Sequence, residues 1–550
     1  MSSLFAVILP FTLALLIAVP GAVRTAVCRI APFAPLALLP VLLSPSEAEL
    51  GLPLVGIRLA PDTVAIPLLW LTLLAWSLAG WMAAGQIDRE RAWFWSGWLL
   101  ALAGMNLLLL AGNLVSFYLG FAAMSLSAYL LVVHAGTAEA WRAGRVYLVM
   151  ALAGEAAVLS GVLLLAGQLG NVAFEEMLGD AATAALTEGP ARWLLLVGFA
   201  VKLGIVPLHL WLPLAHPVAP VPASAILSGV IVKAGLLGWI RMVPALDVDP
   251  LIIGQWMLAF GLLTAFAGVL LGLTQRRIKT VLAYSTISQM GLLLCGFSAW
   301  FLMPGEREAV LATLGLLALH HGLNKAALFL ACACEPGVSR WRLALFALPA
   351  LSLAGLPLTT GFLAKGELKN VLGLAGVGDW VMLLVALSST ATALLMWKAY
   401  ALARSMDAPK RGAHPAWVLL VLAALVAPWL YGASLSLVAW PDPAKLFDAG
   451  WPLLLAALLI VLGRQVPYRL RLSLPEGDLV VHFERLASWL GQTGRSLYEP
   501  RPSTDRWRLD SRRALSLLAR MEGSEASLPL VGLALLAVAV LLWLLTGLGS

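Results

Sequence analysis

The sequence predicts an all-α protein that crosses a membrane many times. Of its 550 residues, 61% are hydrophobic and only 12% are charged, and the mean hydropathy is +0.91. Soluble domains carry roughly 25% charged residues, about twice this fraction. Backbone exposed to lipid must satisfy its own hydrogen bonds, and the sequence lacks the alternating ten-residue segments typical of membrane barrels. These observations exclude a water-soluble enzyme and favour a helical bundle.

Apolar runs of nearly spanning length recur along the chain. A helix needs about 20 apolar residues to cross the hydrocarbon layer. This criterion predicts about sixteen spans, at residues 3–20, 27–43, 63–84, 92–111, 113–134, 145–167, 191–210, 220–242, 251–273, 278–301, 308–332, 341–363, 377–403, 416–438, 450–463 and 527–547. The first run follows no basic segment and precedes no clear cleavage site, so we expect it to stay as a span.

The loops between these runs alternate in charge. Loops after odd-numbered runs are basic, with Arg24, Arg29, Arg142, Arg145, Arg276, Arg277, Lys279, Arg340, Arg342, Arg404, Lys410 and Arg411. Loops after even-numbered runs are acidic, with Glu47, Glu49, Glu175, Glu176, Asp180, Asp247, Asp249, Glu306, Glu308, Asp442 and Asp448. Because basic loops stay in the cytoplasm, we predict a multi-pass protein of a prokaryotic inner membrane with its N-terminus outside. The net charge of +7 comes from separate loops, so it does not indicate nucleic-acid binding.

Residues 464–526 form a long polar segment that the charge alternation places in the cytoplasm. Its four prolines exclude one continuous helix, and two pieces, 478–491 and 505–521, have amphipathic spacing. We interpret the segment as a linker on the membrane surface; the alternative is a strap that holds a neighbouring subunit. Residues 527–550 then form a final span.

Ionisable residues inside apolar runs are costly and usually functional. Lys202 lies in the seventh run, shortly before Pro207, His209 and Pro213. These prolines cannot fit a straight helix, so we expect a break near mid-membrane, where freed backbone groups face a wet cavity. Lys233 lies in the eighth run between apolar stretches, with no acidic residue within one helical turn. Burial disfavours the charged form of a lysine, so both lysines could exchange protons.

The eleventh run contains His320, His321 and Lys325. His321 and Lys325 are four residues apart and therefore share a helix face. Histidine titrates near neutral pH, so His321 could pass a proton that the lysine holds. A metal site is disfavoured because no third ligand has suitable spacing. His320 points away from this face, and we expect it to be a packed, hydrogen-bonded histidine.

A second interrupted helix is predicted in the twelfth run, where Gly355 and Pro357 precede Lys365. Two interrupted helices at corresponding places in two halves indicate an inverted-repeat transporter. Pro207 and Pro357 lie about 150 residues apart, a distance that fits five spans per half.

These motifs together resemble the antiporter-like subunits shared by respiratory complex I, Mrp-type cation/proton antiporters and group 4 membrane-bound hydrogenases. The resemblance extends in order over residues 60–400 and rests on Lys202…Pro207-Leu-His209-Leu-Trp-Leu-Pro-Leu-Ala-His216, Ser228-Gly…Lys233-Ala-Gly, Arg277-Ile-Lys-Thr-Val-Leu-Ala-Tyr-Ser, His321…Lys325-Ala-Ala-Leu-Phe and Gly355-Leu-Pro…Gly-Phe-Leu-Ala-Lys365. It implies about fourteen core helices in two inverted five-helix repeats, with helices 7 and 12 broken, plus about two extra C-terminal spans.

The resemblance also implies roles and boundaries. Lys202 and Lys233 would serve the first half, His321 and Lys325 would connect the halves, and Lys365 would be the terminal site. The corresponding regions are N-terminal helices (1–90), a first half (91–245), a second half (246–405), C-terminal core helices (406–463), the amphipathic segment (464–526) and the final span (527–550).

The sequence departs from the family in the fifth span. The family carries a Trp-Glu pair there, whose carboxylate partners the seventh-span lysine, but Ala122 stands at the Glu position and Asn113 at that of a preceding Asp. Glu155, in the sixth span, is the candidate substitute, since a membrane-embedded carboxylate is expected to have a lysine partner such as Lys202. The alternative is a protonated Glu155 bonded to backbone.

We therefore predict a proton-translocating subunit of a multi-subunit membrane complex. Its proton pathway would contain Glu155, Lys202, His209, Lys233, His321, Lys325 and Lys365, with helix breaks at Pro207 and Pro357. Na⁺ or another cation is an alternative coupled ion. No iron–sulfur, Rossmann or haem motif occurs, so we expect no cofactor and assign any quinone-oxidoreductase or hydrogenase chemistry to partner subunits.

Two other functions stay open. One is the membrane subunit of a proton-driven uptake complex for CO₂ or bicarbonate, with a soluble partner. The other is a structural subunit whose channel is inactive. The four cysteines, Cys28, Cys295, Cys332 and Cys334, lie in or beside apolar runs and predict neither a disulfide nor a metal site.

Overall fold

A computed structural model describes residues 1–463 except 53–54, 89–90, 179–181, 183, 187–188, 244–249, 338, 407–412 and 439–441. Within that part of the chain, twelve helices are long and apolar enough to cross a membrane. The predicted helical membrane fold is confirmed. The amphipathic segment 464–526, the final span 527–547 and the loop residues Asp180, Asp247, Asp249, Lys410 and Arg411 lie outside the described residues.

The helices follow the predicted runs in order. The N-terminal helices are α1 Ser2–Leu16, α2 Ala22–Ile30, α3 Leu39–Leu43 and α4 Ile66–Gln86, and a 3₁₀ segment Ala31–Leu38 joins α2 to α3. The next are α5 Arg91–Leu110, α6 Leu114–Val133, α7 Ala138–Leu169, α8 Ala191–Leu203, α9 Trp211–Val218, α10 Val221–Gly229 and α11 Ala234–Met242. The last are α12 Pro250–Thr274, α13 Ile278–Leu302, α14 Arg307–Ala331, α15 Arg340–Ala354, α16 Thr360–Leu374, α17 Asp379–Arg404, α18 Pro415–Ser434 and α19 Pro443–Gly463.

Helix α7 begins earlier than predicted. Thr137 caps it, because its side chain accepts a hydrogen bond from the backbone N–H of Ala140. The charged first turns, with Glu139 and Arg142, extend the helix beyond its apolar run. Apolar length alone therefore underestimated this element, which has 32 residues.

A short β-hairpin interrupts the helical architecture between α3 and α4. Strand β1, Ala48–Leu52, pairs antiparallel with β2, Val55–Leu59, and Glu49 lies opposite Arg58. The backbone N–H of Arg58 donates to the Ser116 hydroxyl on α6, so the hairpin is anchored to the bundle. The sequence analysis predicted no strand here, because the hairpin is too short for an alternating pattern to stand out.

Helices α13 and α14 occupy the centre of the bundle. The most apolar stretch of each is completely buried, whereas the same stretch of α19 is only 11% buried. Buried polar side chains on α13 and α14 therefore lie inside protein and away from lipid, which is where membrane proteins place functional polar groups.

Two spans are interrupted in the same way. Gly204 (φ +73°) ends α8, and the N–H of Ile205 returns to the carbonyl of Ala200. Gly355 (φ +89°) ends α15, and the N–H of Leu356 returns to the carbonyl of Leu351. Both are helix C-caps in which glycine tolerates the left-handed backbone, and Pro207 and Pro357 follow within three residues.

A third interruption was not predicted. The eighth run forms two helices, α10 and α11, joined by a 3₁₀ turn over Ile231–Lys233. This turn places Lys233 at a point where the α-helical hydrogen-bond ladder is broken. No proline marks it in the sequence.

Candidate functional site

The first candidate site surrounds Lys202 in the last turn of α8. Its Nζ donates to the hydroxyl of Ser125 on α6 at 2.8 Å, and the side chain is almost completely buried. Aromatic rings of Phe121, Tyr147 and Trp211 lie 5.7–5.9 Å from the ammonium, a distance at which cation–π attraction operates. The lysine is therefore held by one hydroxyl and a cage of rings.

Glu155 faces the same cavity from α7. The cavity has a volume of about 10 Å³, room for about one water molecule, and its lining includes Ser125, Glu155 and Lys202. The side chain of Ser125 interacts with both ionisable groups. Glu155 is 5% exposed, and its Oε1 has no hydrogen-bond partner. The structure thus brings Glu155 and Lys202 together around Ser125, a residue that the sequence analysis did not single out.

A second group of ionisable residues lies at the centre of the bundle. Lys233 and Lys325 are fully buried, and their Nζ atoms donate to the backbone carbonyls of Ser228 and Leu282, respectively. His321 lies near both lysines, and neither of its ring nitrogens has a hydrogen-bond partner within the part of the chain that the structure describes.

Sequence reasoning missed His216 as a member of this central group. His216 is fully buried on α9, and its ring stacks on that of Phe329 with 4.8 Å between the ring centroids. Neither ring nitrogen has a hydrogen-bond partner among the residues that the structure describes. The charges of Lys233, Lys279 and Lys325 all act on it. Its position in the Pro-rich run after Trp211 was the available signal. His209, a predicted site residue close by in the sequence, is also buried, and its ring centroid lies 6.4 Å from that of Tyr284.

Lys279 lies at one edge of the central group, at the first turn of α13. Its Nζ donates to the carbonyls of Pro217 and Ala219, which end α9. From the sequence, Lys279 is predicted only to be one of the positive charges of a cytoplasmic loop. Its contacts instead attach the start of α13 to the half-helix that carries His216.

The third candidate site surrounds Lys365 on α16. Its Nζ donates to the hydroxyl of Ser389 at 3.0 Å and points to the carbonyl of Ala354 at 3.4 Å. A cavity of about 120 Å³ reaches this lysine, and its lining also includes Glu367 and Asp448. That volume holds several water molecules.

The second and third sites share one electrostatic property. In the described part of the chain, no carboxylate forms an ion pair with Lys233, Lys325 or Lys365. Their partners are hydroxyl and carbonyl oxygens, which solvate an ammonium but carry no compensating charge. Burying an uncompensated charge is costly, and these oxygens offset only part of that cost. Among the described residues, no three His, Cys, Asp or Glu side chains cluster in a way that could hold a metal ion.

Known proteins resemble this chain in sequence and in fold. Residues 111–336 match the family described as NADH:quinone oxidoreductase/Mrp antiporter, TM. Hydrogenase-4 component B of Escherichia coli (strain K12) is 35% identical over 240 residues, which are 42% of this chain and 35% of that protein. The matched region is thus only about a third of that relative's length.

A second relative and a solved structure extend the match. NADH-quinone oxidoreductase subunit N of Desulforudis audaxviator (strain MP104C) is 30% identical over 391 residues, 65% of this chain and 75% of that protein. A chain in the structure of the Mrp complex from Dietzia sp. DQ12-45-1b has the same fold, with a TM-score of 0.72 at 20% identity, over 94% of this chain and 62% of that one. The chain belongs to the NADH:quinone oxidoreductase/Mrp antiporter family of membrane subunits.

Proposed function

We propose that this chain is a proton-translocating subunit of a multi-subunit membrane complex. The observation that carries the proposal is the placement of Lys202, Lys233 and Lys365, each buried at or near a helix interruption within the apolar bundle. Burial penalises each ammonium while hydroxyl, carbonyl or carboxylate oxygens stabilise it, so each lysine can change its protonation state. A small change in nearby charge then moves a proton on or off.

In the first half, Glu155 serves as the internal partner of Lys202. A carboxylate in the cavity favours the ammonium form of the lysine, and loss of that carboxylate's charge favours proton release. Ser125 lies in contact with both groups and has the hydroxyl needed to pass a proton between them. Glu155 thereby replaces the family carboxylate that is missing at Ala122.

In the centre, His321 and Lys325 link Lys233 to the second half. A proton on Lys233 and one on Lys325 repel each other across a buried space, so the group holds few protons at once. The unpartnered nitrogens of His321 lie where such a proton can bind. His209 and His216 lie on the first-half side of this group.

Two sets of contacts support the proposed grouping of the loops on two sides of the membrane. On one side, the Met1 amino group donates to Ser46, and Arg58 lies 3.6–3.7 Å from Glu47 and Glu175. On the other, Arg277 forms an ion pair with Glu139. We propose that the side of the N-terminus is the outside, because the basic loops lie on the opposite side.

The same orientation directs the Lys365 cavity outwards. Its lining residue Asp448 lies near the start of α19, which follows a loop assigned to the outside, and it pairs with Lys369 at 2.6 Å. Lys279 lies in the first turn of α13, which follows a loop assigned to the cytoplasm. The proposed route therefore runs from the Lys279 side through the central lysines to the Lys365 cavity.

The relatives suggest which assembly this subunit serves. Their names refer to a hydrogenase, an NADH-quinone oxidoreductase and an Mrp complex. We propose that redox chemistry or ion exchange in partner subunits drives the protons, and that the chain itself needs no cofactor. Inorganic-carbon uptake and Na⁺ as the coupled ion are outcomes that purification of the complex and ion substitution would reveal.

A flux measurement tests the proposal. The complete complex is reconstituted into vesicles, a potassium diffusion potential is imposed with valinomycin, and proton uptake is followed with a pH-sensitive dye. We expect Lys233→Met to lower the flux at least about tenfold, since proton relays contribute about 10²–10⁴-fold. Lys398→Met is the matched control, because Lys398 also donates to a backbone carbonyl, that of Leu273, but lies outside the central group. Equal flux in the Lys233 variant and wild type would favour the inactive structural subunit.

A further inference from the structure

His320 has contacts that differ from those of its neighbour His321. The two residues are adjacent on α14, so their side chains leave the helix about 100° apart. His321 lies near Lys233 and Lys325, whereas His320 points to the junction of α15 and α16, where the second span is broken. His320 is 1% exposed.

At that junction His320 meets a pair of hydroxyl groups. Its Nδ1 lies 3.0 Å from Oγ1 of Thr360, the first residue of α16. Oγ1 of Thr360 lies 2.9 Å from Oγ of Ser352 in the last turn of α15, and it donates to the carbonyl of Ala424 at 3.2 Å. The two hydroxyls therefore connect the imidazole to both halves of the broken span.

The packing of this junction requires a glycine. A Cβ at Gly361 would lie 1.7 Å from the carbonyl oxygen of Ser352 and 3.1 Å from Cε1 of His320. Any larger residue would push α16 away from α15 and from the imidazole. The close approach of α15 and α16, which brings the two hydroxyls together, thus depends on the absence of a side chain at Gly361.

The other ring nitrogen of His320 has a different environment. Asn324 Nδ2 lies 3.1 Å from Nδ1 and donates to it, so Nδ1 accepts and the proton of the neutral ring lies on Nε2. Nε2 is buried, and no hydrogen-bond partner for it occurs among the described residues.

Two electrostatic contacts place His320 between the central group and Lys365. The charge of Lys365 acts on His320, and His320 in turn acts on His321. Lys365 lies five residues after Thr360 on α16, and its Nζ points to the carbonyl of Ala354, two residues after Ser352. The two hydroxyls therefore lead from the imidazole of His320 to the interruption between α15 and α16, next to Lys365.

We propose that His320 carries protons between Lys365 and the central group, through the hydroxyls of Thr360 and Ser352. The Thr360 hydroxyl turns from the carbonyl of Ala424, passes its proton to Nδ1 and takes one from Ser352, whose oxygen regains a proton from the Lys365 ammonium, directly or through water. The imidazolium so formed releases its Nε2 proton towards His321, which leaves a neutral ring with its proton on Nδ1, and the Asn324 amide turns so that its Oδ1 accepts from Nδ1–H. Proton exchange with water then returns the ring to the Nε2 tautomer before the next transfer. The two transfers in reverse carry a proton towards Lys365.

The test rests on the proposed function and uses the same vesicle assay on the complete complex. His320→Gln keeps a side chain that can hydrogen-bond to Thr360 but cannot become a cation. Thr360→Val removes the hydroxyl at nearly constant volume, and Thr360→Ser restores it. We expect the first two to lower proton flux at least about tenfold, with normal assembly by size-exclusion chromatography, and Thr360→Ser to retain most of the flux. If the complex with His320→Gln does not assemble, the flux of the Thr360→Val complex alone tests the proposal.

The outcomes separate this inference from the proposed function. Wild-type flux in His320→Gln or Thr360→Val, together with loss of flux in Lys233→Met, would overturn the role of His320 alone. Equal loss in Thr360→Val and Thr360→Ser would assign Thr360 to packing and also overturn it. Absence of flux in the wild-type complex would overturn the proposed function and this inference with it.

Discussion

The two interrupted spans end alike but surround their lysines differently. Lys202 and Lys365 each donate to one serine hydroxyl, Ser125 and Ser389, at 2.8 and 3.0 Å. Around Lys202 the space is about 10 Å³ and contains the carboxylate of Glu155, whereas the cavity at Lys365 is about 120 Å³. Lys202 shares a cavity with a carboxylate and with little room for water, whereas Lys365 faces a cavity large enough for several water molecules and has no ion-pair partner among the described residues.

Under the proposed function, this difference gives the two lysines different means of proton control. In the small cavity the protonation of Lys202 would depend on Glu155, because charges interact strongly where little water screens them. In the larger cavity, water would be able to take the proton of Lys365. Such a subunit would hold a proton at Lys202 and release it at Lys365.

The largest effect expected from this comparison is at Glu155. We predict that Glu155→Gln lowers proton flux by about 10- to 100-fold, or about 1.4–2.7 kcal/mol in activation free energy, because the amide cannot offer Lys202 a charge. The flux assay on the complete complex measures it. Glu139→Gln is the matched control, since Glu139 lies on the same helix but forms a half-exposed ion pair with Arg277. Unchanged flux in Glu155→Gln would mean that Glu155 works in its protonated form, which glutamine imitates, and the contrast between the two halves would fail.

The next effect concerns the shared helix ends. We predict that Gly204→Ala and Gly355→Ala each destabilise the subunit by about 1–2 kcal/mol, because left-handed backbone costs about that much for a residue with a Cβ. Gly204→Ala should be the more severe, since its Cβ would lie 2.2 Å from Cδ1 of Leu212. Thermal unfolding of the detergent-solubilised complex measures both.

Gly373→Ala provides the control for these two variants. Gly373 lies on α16 with open space around its Cβ position and ordinary helical backbone, so alanine there should be neutral or slightly stabilising. If Gly373→Ala destabilised the subunit as much as Gly355→Ala, the left-handed backbone at the two helix ends would not explain the loss of stability.

The smallest effect is expected at the mouth of the second cavity. Lys369 and Asp448 form an ion pair there, but the Asp448 side chain is 55% exposed. Exposed pairs contribute about 0–1 kcal/mol, so Lys369→Ala should change stability by less than about 1 kcal/mol and proton flux by less than about twofold. A loss of flux as large as that of Glu155→Gln would show that the ion pair controls proton access to the cavity. Solvent would then not exchange protons freely with Lys365, contrary to the proposal.

Sequence reasoning located the spans and the buried lysines well. Apolar runs are long-range patterns that lipid imposes, so Lys202, Lys233 and Lys365 stand out within them. The breaks near Pro207 and Pro357 follow from the missing N–H and the fixed φ of proline. Glu155 was found because a carboxylate in an apolar run demands an explanation.

The other features of the site depend on tertiary contacts, which cannot be recognised in a single sequence. The 3₁₀ turn at Lys233 contains β-branched residues but no proline. Ser125 and Thr360 belong to no recognisable motif, and they matter because other helices bring a lysine or an imidazole into contact with them. His320 was expected to be a packed histidine, and its hydrogen bonds agree with that, but the unpartnered Nε2 was not foreseeable.

The most direct test of the central claim, one proton route through both halves, is the flux of Lys202→Met and Lys365→Met measured separately in the complete complex. If the two sites act in series, each variant alone lowers the flux at least about tenfold. If either variant keeps about half of the wild-type flux, the halves conduct independently and the single route described here is contradicted.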